Sequence, residues 1–206
     1  MVNLIKHPLL THKLAILRRK ETKMKEFRKT LKEIASLMAY EITRDLPIKK
    51  ITIETPLREC RTEELAGEIT LIPVLRAGLG MVEGISELIP TARIGHIGIY
   101  RDHDTLKPMT YYSKFPDNLS DSIVMVLDPM LATGGSASDA ISILKDNGAQ
   151  TIKLVCIVGA PEGIERISKD HPDVQVYLAG LDEKLNENGY IVPGLGDAGD
   201  RLFGTK

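Results

Sequence analysis

IVMVLDPMLATGGSASDAISILKDN, residues 123–147, reads in succession as a strand, a turn and a helix. Ile123-Val124-Met125-Val126-Leu127 is an unbroken apolar run rich in β-branched side chains, the pattern of a parallel strand covered on both faces. Asp128 ends it. Ala132-Thr133-Gly134-Gly135-Ser136 follows, small residues whose backbone N–H groups can converge on one point because no bulky side chain intervenes. From Ser136 the apolar positions Ala137, Ala140, Ile141 and Leu144 repeat at helical spacing, with Ser136 as the expected N-cap and Gly148 as the expected C′ stop. A phosphate in the Thr133–Ser136 turn would meet amides and hydroxyls at the positive end of a helix dipole.

The turn is not a Walker A loop, which needs Lys followed by Ser or Thr where this chain has Ser136-Ala137. Apolar strand, acidic residue and T-G-G together resemble the phosphoribosyl-pyrophosphate (PRPP) signature of the type I phosphoribosyltransferases. The usual signature has two adjacent carboxylates, and here Pro129 takes the second place. Asp128 is then left alone to face ribose hydroxyls, and a paired-carboxylate metal site is weakened.

The same pattern repeats outward from this stretch. Upstream, Glu68–Leu75 is a buried strand running into Arg76-Ala77-Gly78-Leu79-Gly80 and then an apolar-periodic helix through Val82, Ile85, Leu88 and Ile89. Gly84 falls one place too late for G-x-G-x-x-G, so this is no dinucleotide fingerprint. An arginine on so short a turn, Arg76, offers a planar fork to a pyrophosphate; the plainer reading is a surface arginine. Ala92–Tyr100 is a third strand, with His96 read as structural, and residues 101–120 form a long polar segment expected to be a lid loop with Arg101 at its base. Downstream, Thr151–Val158 is a strand, Pro161 starts a helix at N1, and Val174–Ala179 is a shorter strand. This βα alternation predicts an α/β fold, a mainly parallel sheet flanked by helices, with Arg76, Arg101 and Asp128 on the rim at the strand C-termini.

Thr22–Thr43 reads as an amphipathic helix with Phe27, Leu31, Ile34, Met38 and Ile42 on one stripe, free to cap its own sheet or to face a neighbour. Ile51-Thr52-Ile53 reads as a half-exposed strand, and Thr55–Gly67 as polar connecting chain. The 206 residues suit one domain with a helical arm over residues 1–50 and a C-terminal segment over 180–206. Net charge is −1, yet residues 1–50 hold 13 Lys and Arg against 5 acids, and the rest 14 against 23. The basic half interleaves its charges with helical apolar positions, so a solvated helix face or a subunit contact is the reading, not nucleic acid. Cys60 and Cys156 lack metal or disulfide spacing; no segment resembles a membrane span or a secretory signal, and a cytoplasmic location is expected.

Near the C-terminus, Gly194-x-Gly196-x-x-Gly199 matches a dinucleotide pattern falsely, because only seven residues follow it. Its glycines expose peptide groups that can read the edge of a planar pyrimidine. Asp128-Pro-Met-Leu-Ala-Thr-Gly-Gly-Ser136, Arg76-Ala77-Gly78 and Gly189-Tyr-Ile-Val-Pro-Gly-Leu-Gly-Asp-Ala-Gly-Asp200 together resemble the uracil phosphoribosyltransferase family over almost the whole chain. The resemblance implies uracil plus PRPP giving UMP and pyrophosphate in UMP salvage, with Mg²⁺ held mainly by substrate. Arg76 and Arg101 would bind the pyrophosphate end, and Asp128, Pro129, Met130, Leu131, Ala132, Thr133, Gly134, Gly135 and Ser136 the ribose and its 5-phosphate. Ile191, Gly196 and Ala198 would bind uracil through their backbones. Asp197 would lie between base and ribose, placed to orient the nucleophile or to help accept its N1 proton; from local chemistry the plainer reading is an Asx-turn stabiliser. A homo-oligomer, and GTP activation in part of the family, are further implications. The alternative is a pyrimidine-operon RNA-binding regulator of the same fold, against which stand Pro129 and the acidic balance beyond Lys50.

Overall fold

The computed structural model describes residues 1–101 and 108–205; the side chains of residues 101 and 108 lie outside the description. In chain order the elements are β1 (Val2–Leu4), α1 (Pro8–Arg18), α2 (Met24–Ile42), β2 (Ile48–Glu54), β3 (Glu59–Leu65), β4 (Glu68–Leu75), α3 (Leu79–Ser86), β5 (Arg93–Ile94), β6 (His96–Arg101), β7 (Pro108–Lys114), β8 (Ser122–Leu127), β9 (Met130–Leu131), α4 (Gly135–Asp146), β10 (Thr151–Gly159), α5 (Pro161–Asp170), β11 (Gln175–Leu181), β12 (Lys184–Leu185), β13 (Ile191–Val192) and α6 (Ala198–Phe203).

The main sheet runs β1-β11-β10-β8-β4-β6-β7, with β5 paired to β4 and β9 to β10. Every pairing in it is parallel except β6 with β7. Alternation along β8 explains why its sequence is continuously apolar. Val124 and Val126 enter one core cluster with Ala140, Ile141 and Leu144 of α4, while Met125 and Leu127 enter the other with Phe27, Leu31 and Met38 of α2. Both faces are therefore dry, as the β-branched run requires.

The stripe of α2 caps its own sheet: Phe27, Leu31, Ile34, Met38 and Ile42 are all 0% exposed. Each such side chain stabilises the fold by about 1.5–3 kcal/mol relative to exposure. Lys153, buried in β10, donates to the Ile42 carbonyl at 2.8 Å and pairs with Asp45, which ties the C-terminal end of α2 to the sheet. Residues before α2 are built in too, since β1 extends the sheet beside β11 in register Val2 to Val176.

Several expectations are corrected. Residues 59–65, expected as connecting chain, form β3 and pair antiparallel with β2 as a hairpin separate from the main sheet. Both faces of β3 meet solvent, so no apolar alternation marks that strand. The expected lid loop contains β7, antiparallel to β6, and residues 102–107 lie outside the described residues. The N-cap of α4 is Gly134 at φ 75°, not Ser136, because the helix begins at Gly135, two residues before a Ser136 cap would start it. Glycine adopts that left-handed conformation without a Cβ penalty. Gly148, at φ 94°, stands after α4 as the expected stop.

Candidate active site

Adjacent parallel strands bring three of the expected residues to one rim. β8, β4 and β6 are neighbours, and Asp128, Arg76 and Arg101 stand at or just past their C-terminal ends. The Leu75–Arg76 peptide is cis, and Gly78 donates to the Val74 carbonyl at 3.0 Å to close the turn. Gly78 must be glycine: a Cβ there would lie 2.3 Å from the carbonyl oxygen of Leu127. That contact seats the Arg76 turn against the residue preceding Asp128. The guanidinium of Arg76 is open to solvent, with Nη2 3.6 Å from Asp200 Oδ1 and the Phe203 ring 5.9 Å away. The side chain of Arg101 lies outside the described residues.

Asp128 opens an Asx turn, its Oδ1 accepting the N–H of Met130 at 3.2 Å. The next residues are pinned to β10, because the Pro129 carbonyl accepts from Ile157 and Val158 at 3.1 Å and Leu131 accepts from Ala160 at 2.9 Å. Ala132-Thr133-Gly134 then turns into α4, whose first internal bond runs from Ser138 N–H to the Gly134 carbonyl at 2.9 Å. The N–H groups ahead of that bond have no carbonyl within the helix to receive them, and that of Gly135 is accepted by Thr133 Oγ1 at 3.5 Å. The Asp128 carboxyl is walled in by protein yet faces a cleft. Burial pushes its pKa up to about 7, opposed by the Met130 N–H.

The cleft has a volume of about 260 Å³. Asp128, Met130 and Ala132 form one side, and Tyr190, Ile191, Gly196, Asp197 and Ala198 the other, with Ala77 and Gly199 at the edge. The structure thus gathers Asp128, Met130, Ala132, Ile191, Gly196, Asp197 and Ala198 around one space. Thr133, Gly134, Gly135 and Ser136 sit behind it at the start of α4; a Cβ on Gly189 would come 3.9 Å from Thr133 Cγ2. Pro129 and Leu131 are buried in the β10 junction and do not line it. A larger hollow, about 870 Å³, lies along the β2–β3 hairpin between Lys50, Thr52, Arg61 and Glu63. It carries no strand-end acid or phosphate turn, so the smaller cleft is the better site.

The far wall is built by β13, the cis Val192–Pro193 peptide, and the left-handed residues Gly194 (φ 61°) and Gly196 (φ 78°) leading into α6. Asp197 caps α6, its Oδ1 accepting from Asp200 N–H at 2.8 Å, so the turn-stabilising role is present alongside its place in the cleft. Tyr190 and Gly189 line the cleft although no role was assigned to them. Among the described residues no group of three or more His, Cys, Asp or Glu is placed to hold a metal ion.

The profile of a family described as uracil phosphoribosyltransferase matches residues 4–205. A curated relative of that name from Symbiobacterium thermophilum is 59% identical over 206 residues, covering 100% of this chain and 99% of its own length. The AQ2163 protein from Aquifex aeolicus has a solved structure with a TM-score of 0.95 and 39% identity, covering 100% of this chain and 99% of that one. A hypoxanthine phosphoribosyltransferase from Trypanosoma cruzi, at 12% identity and a TM-score of 0.51 over 79% of this chain and 76% of its own, shares the fold.

Proposed function

The chain belongs to the uracil phosphoribosyltransferase family, and on that premise we propose that it converts uracil and PRPP to UMP and pyrophosphate. The observation that carries the reading is the facing of two walls across one cleft: Asp128, Met130 and Ala132, which lead into the N-terminus of α4, and the segment from Tyr190 to Ala198.

In the proposed reaction the bond from ribose C1 to the pyrophosphate oxygen breaks as the bond from C1 to uracil N1 forms. The N1 proton passes to Asp197 or to water beside it. Asp128 accepts from the ribose hydroxyls and, once ionised, stabilises the positive charge that grows on the ring. Arg76, and Arg101 by its position at the end of β6, receive the negative charge gathering on the leaving oxygens. The N-terminus of α4 holds the 5-phosphate, so the sugar is fixed at both ends. Mg²⁺ would be held mainly by the oxygens of PRPP and would supply positive charge against the leaving pyrophosphate, while Asp128 holds the ribose hydroxyls. That assignment suits a site in which Asp128 has Pro129 rather than a second acid beside it.

Homo-oligomer formation and a cytoplasmic location belong to the same proposal. The β2–β3 hairpin lies outside the main sheet with exposed Ile48, Ile53 and Leu65, and a lone two-stranded ribbon is marginally stable in water, which favours a neighbour against it. No described helix is long and apolar enough to cross a membrane. GTP as an effector rests on the family resemblance alone, and a titration of activity with GTP tests it. For the reaction itself, purified protein with Mg²⁺, uracil and PRPP is expected to release pyrophosphate and UMP together; no release under those conditions overturns the assignment.

A further inference from the structure

Two charged residues outside the cleft hold the backbone of its base-facing wall. Asp182 directly follows β11, is 7% exposed, and lies opposite Arg18, the last residue of α1. Arg18 grips it in a fork, Nη2 to Oδ1 at 2.5 Å and Nη1 to Oδ2 at 2.8 Å. The same two groups take up both polar atoms of Gly194. Its N–H donates to Asp182 Oδ2 at 2.9 Å, and its carbonyl accepts from Arg18 Nη1 at 2.7 Å. Gly194 itself has no room for a side chain, since a Cβ on it would lie 2.1 Å from the Ile191 carbonyl oxygen.

Gly194 stands between Ile191 and Gly196, which both line the cleft. A second arginine braces the next residue. Arg201 donates to Leu195 O at 2.7 Å, to Arg19 O at 2.7 Å and to Leu17 O, with its guanidinium 4.3 Å from the Phe27 ring centre. The turn is thus clamped to α1 from both directions. Buried ion pairs are often replaceable by apolar residues without loss of stability, so folding alone is a weak reason to bury Asp182. Fixing one geometry of a polar wall is a stronger one, because hydrogen-bond readout fails when donors and acceptors move by a fraction of an ångström.

We propose that the Arg18–Asp182 pair is a positioning device for base recognition: it sets the spacing between Ile191 and Gly196 so that their peptide groups match the edge of a pyrimidine. The inference deepens the functional reading above and rests on it. Neither residue touches substrate; both act through Gly194.

The test is steady-state kinetics of Arg18→Lys, Arg18→Ala and Asp182→Asn with each substrate varied in turn, beside thermal unfolding of the same proteins. In Arg18→Ala and Asp182→Asn the KM for uracil is expected to rise about tenfold or more, the KM for PRPP to stay within about twofold, and the preference for uracil over cytosine to narrow. Arg18→Lys keeps the charge but loses the fork, so it is expected to fall between wild type and Arg18→Ala, and it carries the test should Arg18→Ala not fold. A lowered melting temperature with both KM values unchanged, or a parallel rise in both, overturns the proposal and leaves the pair a structural brace. A wild-type protein that makes no UMP overturns the function and the proposal together, and is read before any variant.

Discussion

Gly163 of α5 meets the turn that leads into α4 backbone to backbone: a Cβ on Gly163 would lie 2.5 Å from the carbonyl oxygen of Ala132 and 2.8 Å from that of Leu131. Helix α5 therefore acts as the floor on which residues 131–134 rest. Gly134 reciprocates, since a Cβ there would lie 2.9 Å from the Gly163 carbonyl oxygen.

Gly163→Ala is expected to raise the KM for PRPP while uracil binding stays near normal. In a helix, alanine is ordinarily favoured over glycine by up to about 1 kcal/mol. Here the added methyl must push rigid backbone, and overpacking of that kind costs about 1–3 kcal/mol. A variant that melts at or above the wild-type temperature with an unchanged KM for PRPP would show that the floor yields without consequence.

Asp128 should make PRPP binding depend on pH. Its carboxyl is raised to about 7 by burial, so the free protein carries it largely protonated at pH 6 and largely ionised at pH 8. Binding that needs the ionised form tightens as pH rises through about 7 and then levels off. The stability effect has the opposite sign. Between the ordinary carboxylate range and about 7 the folded state keeps a proton that the unfolded chain has lost, so stability declines with rising pH across that window and is flat above it. Asp128→Asn is expected to remove both slopes, to melt no lower than wild type at pH 8, and to lose turnover. Calorimetric PRPP titrations and melting curves at pH 5, 6, 7 and 8 check this, and a wild-type affinity flat across that range would contradict it.

The sheet was legible because burial on both faces writes itself into sequence as unbroken apolar runs: Glu68–Leu75 and Thr151–Val158 stand as β4 and β10 almost to the residue. The hairpin strand Glu59–Leu65 was not, because solvent on both sides leaves no alternation to read. Turn chemistry was half legible. The adjacent glycines announced a tight entry to α4, but the choice of Gly134 over Ser136 as cap depends on a positive φ that no residue pattern states. The cleft residues Asp128, Asp197 and the 191–198 edge carried motifs. Arg18 and Asp182 carried none, being 164 residues apart and joined only by the fold. Gly163 left a faint trace: a glycine in the first turn of a helix is costly unless backbone approaches it.

Among the described residues Arg76 is held loosely, by a pairing with Asp200, Nη2 to Oδ1 at 3.6 Å, and by the Phe203 ring 5.9 Å away, so it can turn toward an incoming anion. Arg76→Lys keeps the charge and loses the planar fork. Stability should change by less than about 0.5 kcal/mol, as for most surface substitutions. Turnover should fall on the order of 10²-fold if the guanidinium stabilises the leaving pyrophosphate, with uracil KM little altered. Single-turnover measurements separate that loss from product release, and an unchanged chemical step would remove Arg76 from the reaction.

Asp197 holds two candidate roles at once, and Asp197→Asn separates them. As the cap of α6 it accepts the Asp200 N–H at 2.8 Å, and asparagine caps a helix about as well as aspartate. The variant should therefore melt within about 0.5 kcal/mol of wild type. As the group facing the base across the cleft it supplies basicity that asparagine lacks, so turnover should drop about 10²-fold or more. Asp197→Ala then completes the comparison. It loses the cap as well, with an added cost of about 1 kcal/mol, but its turnover should match that of Asp197→Asn. If instead Asp197→Asn turns over normally and only Asp197→Ala is impaired, Asp197 serves the turn alone, and the N1 proton leaves to water.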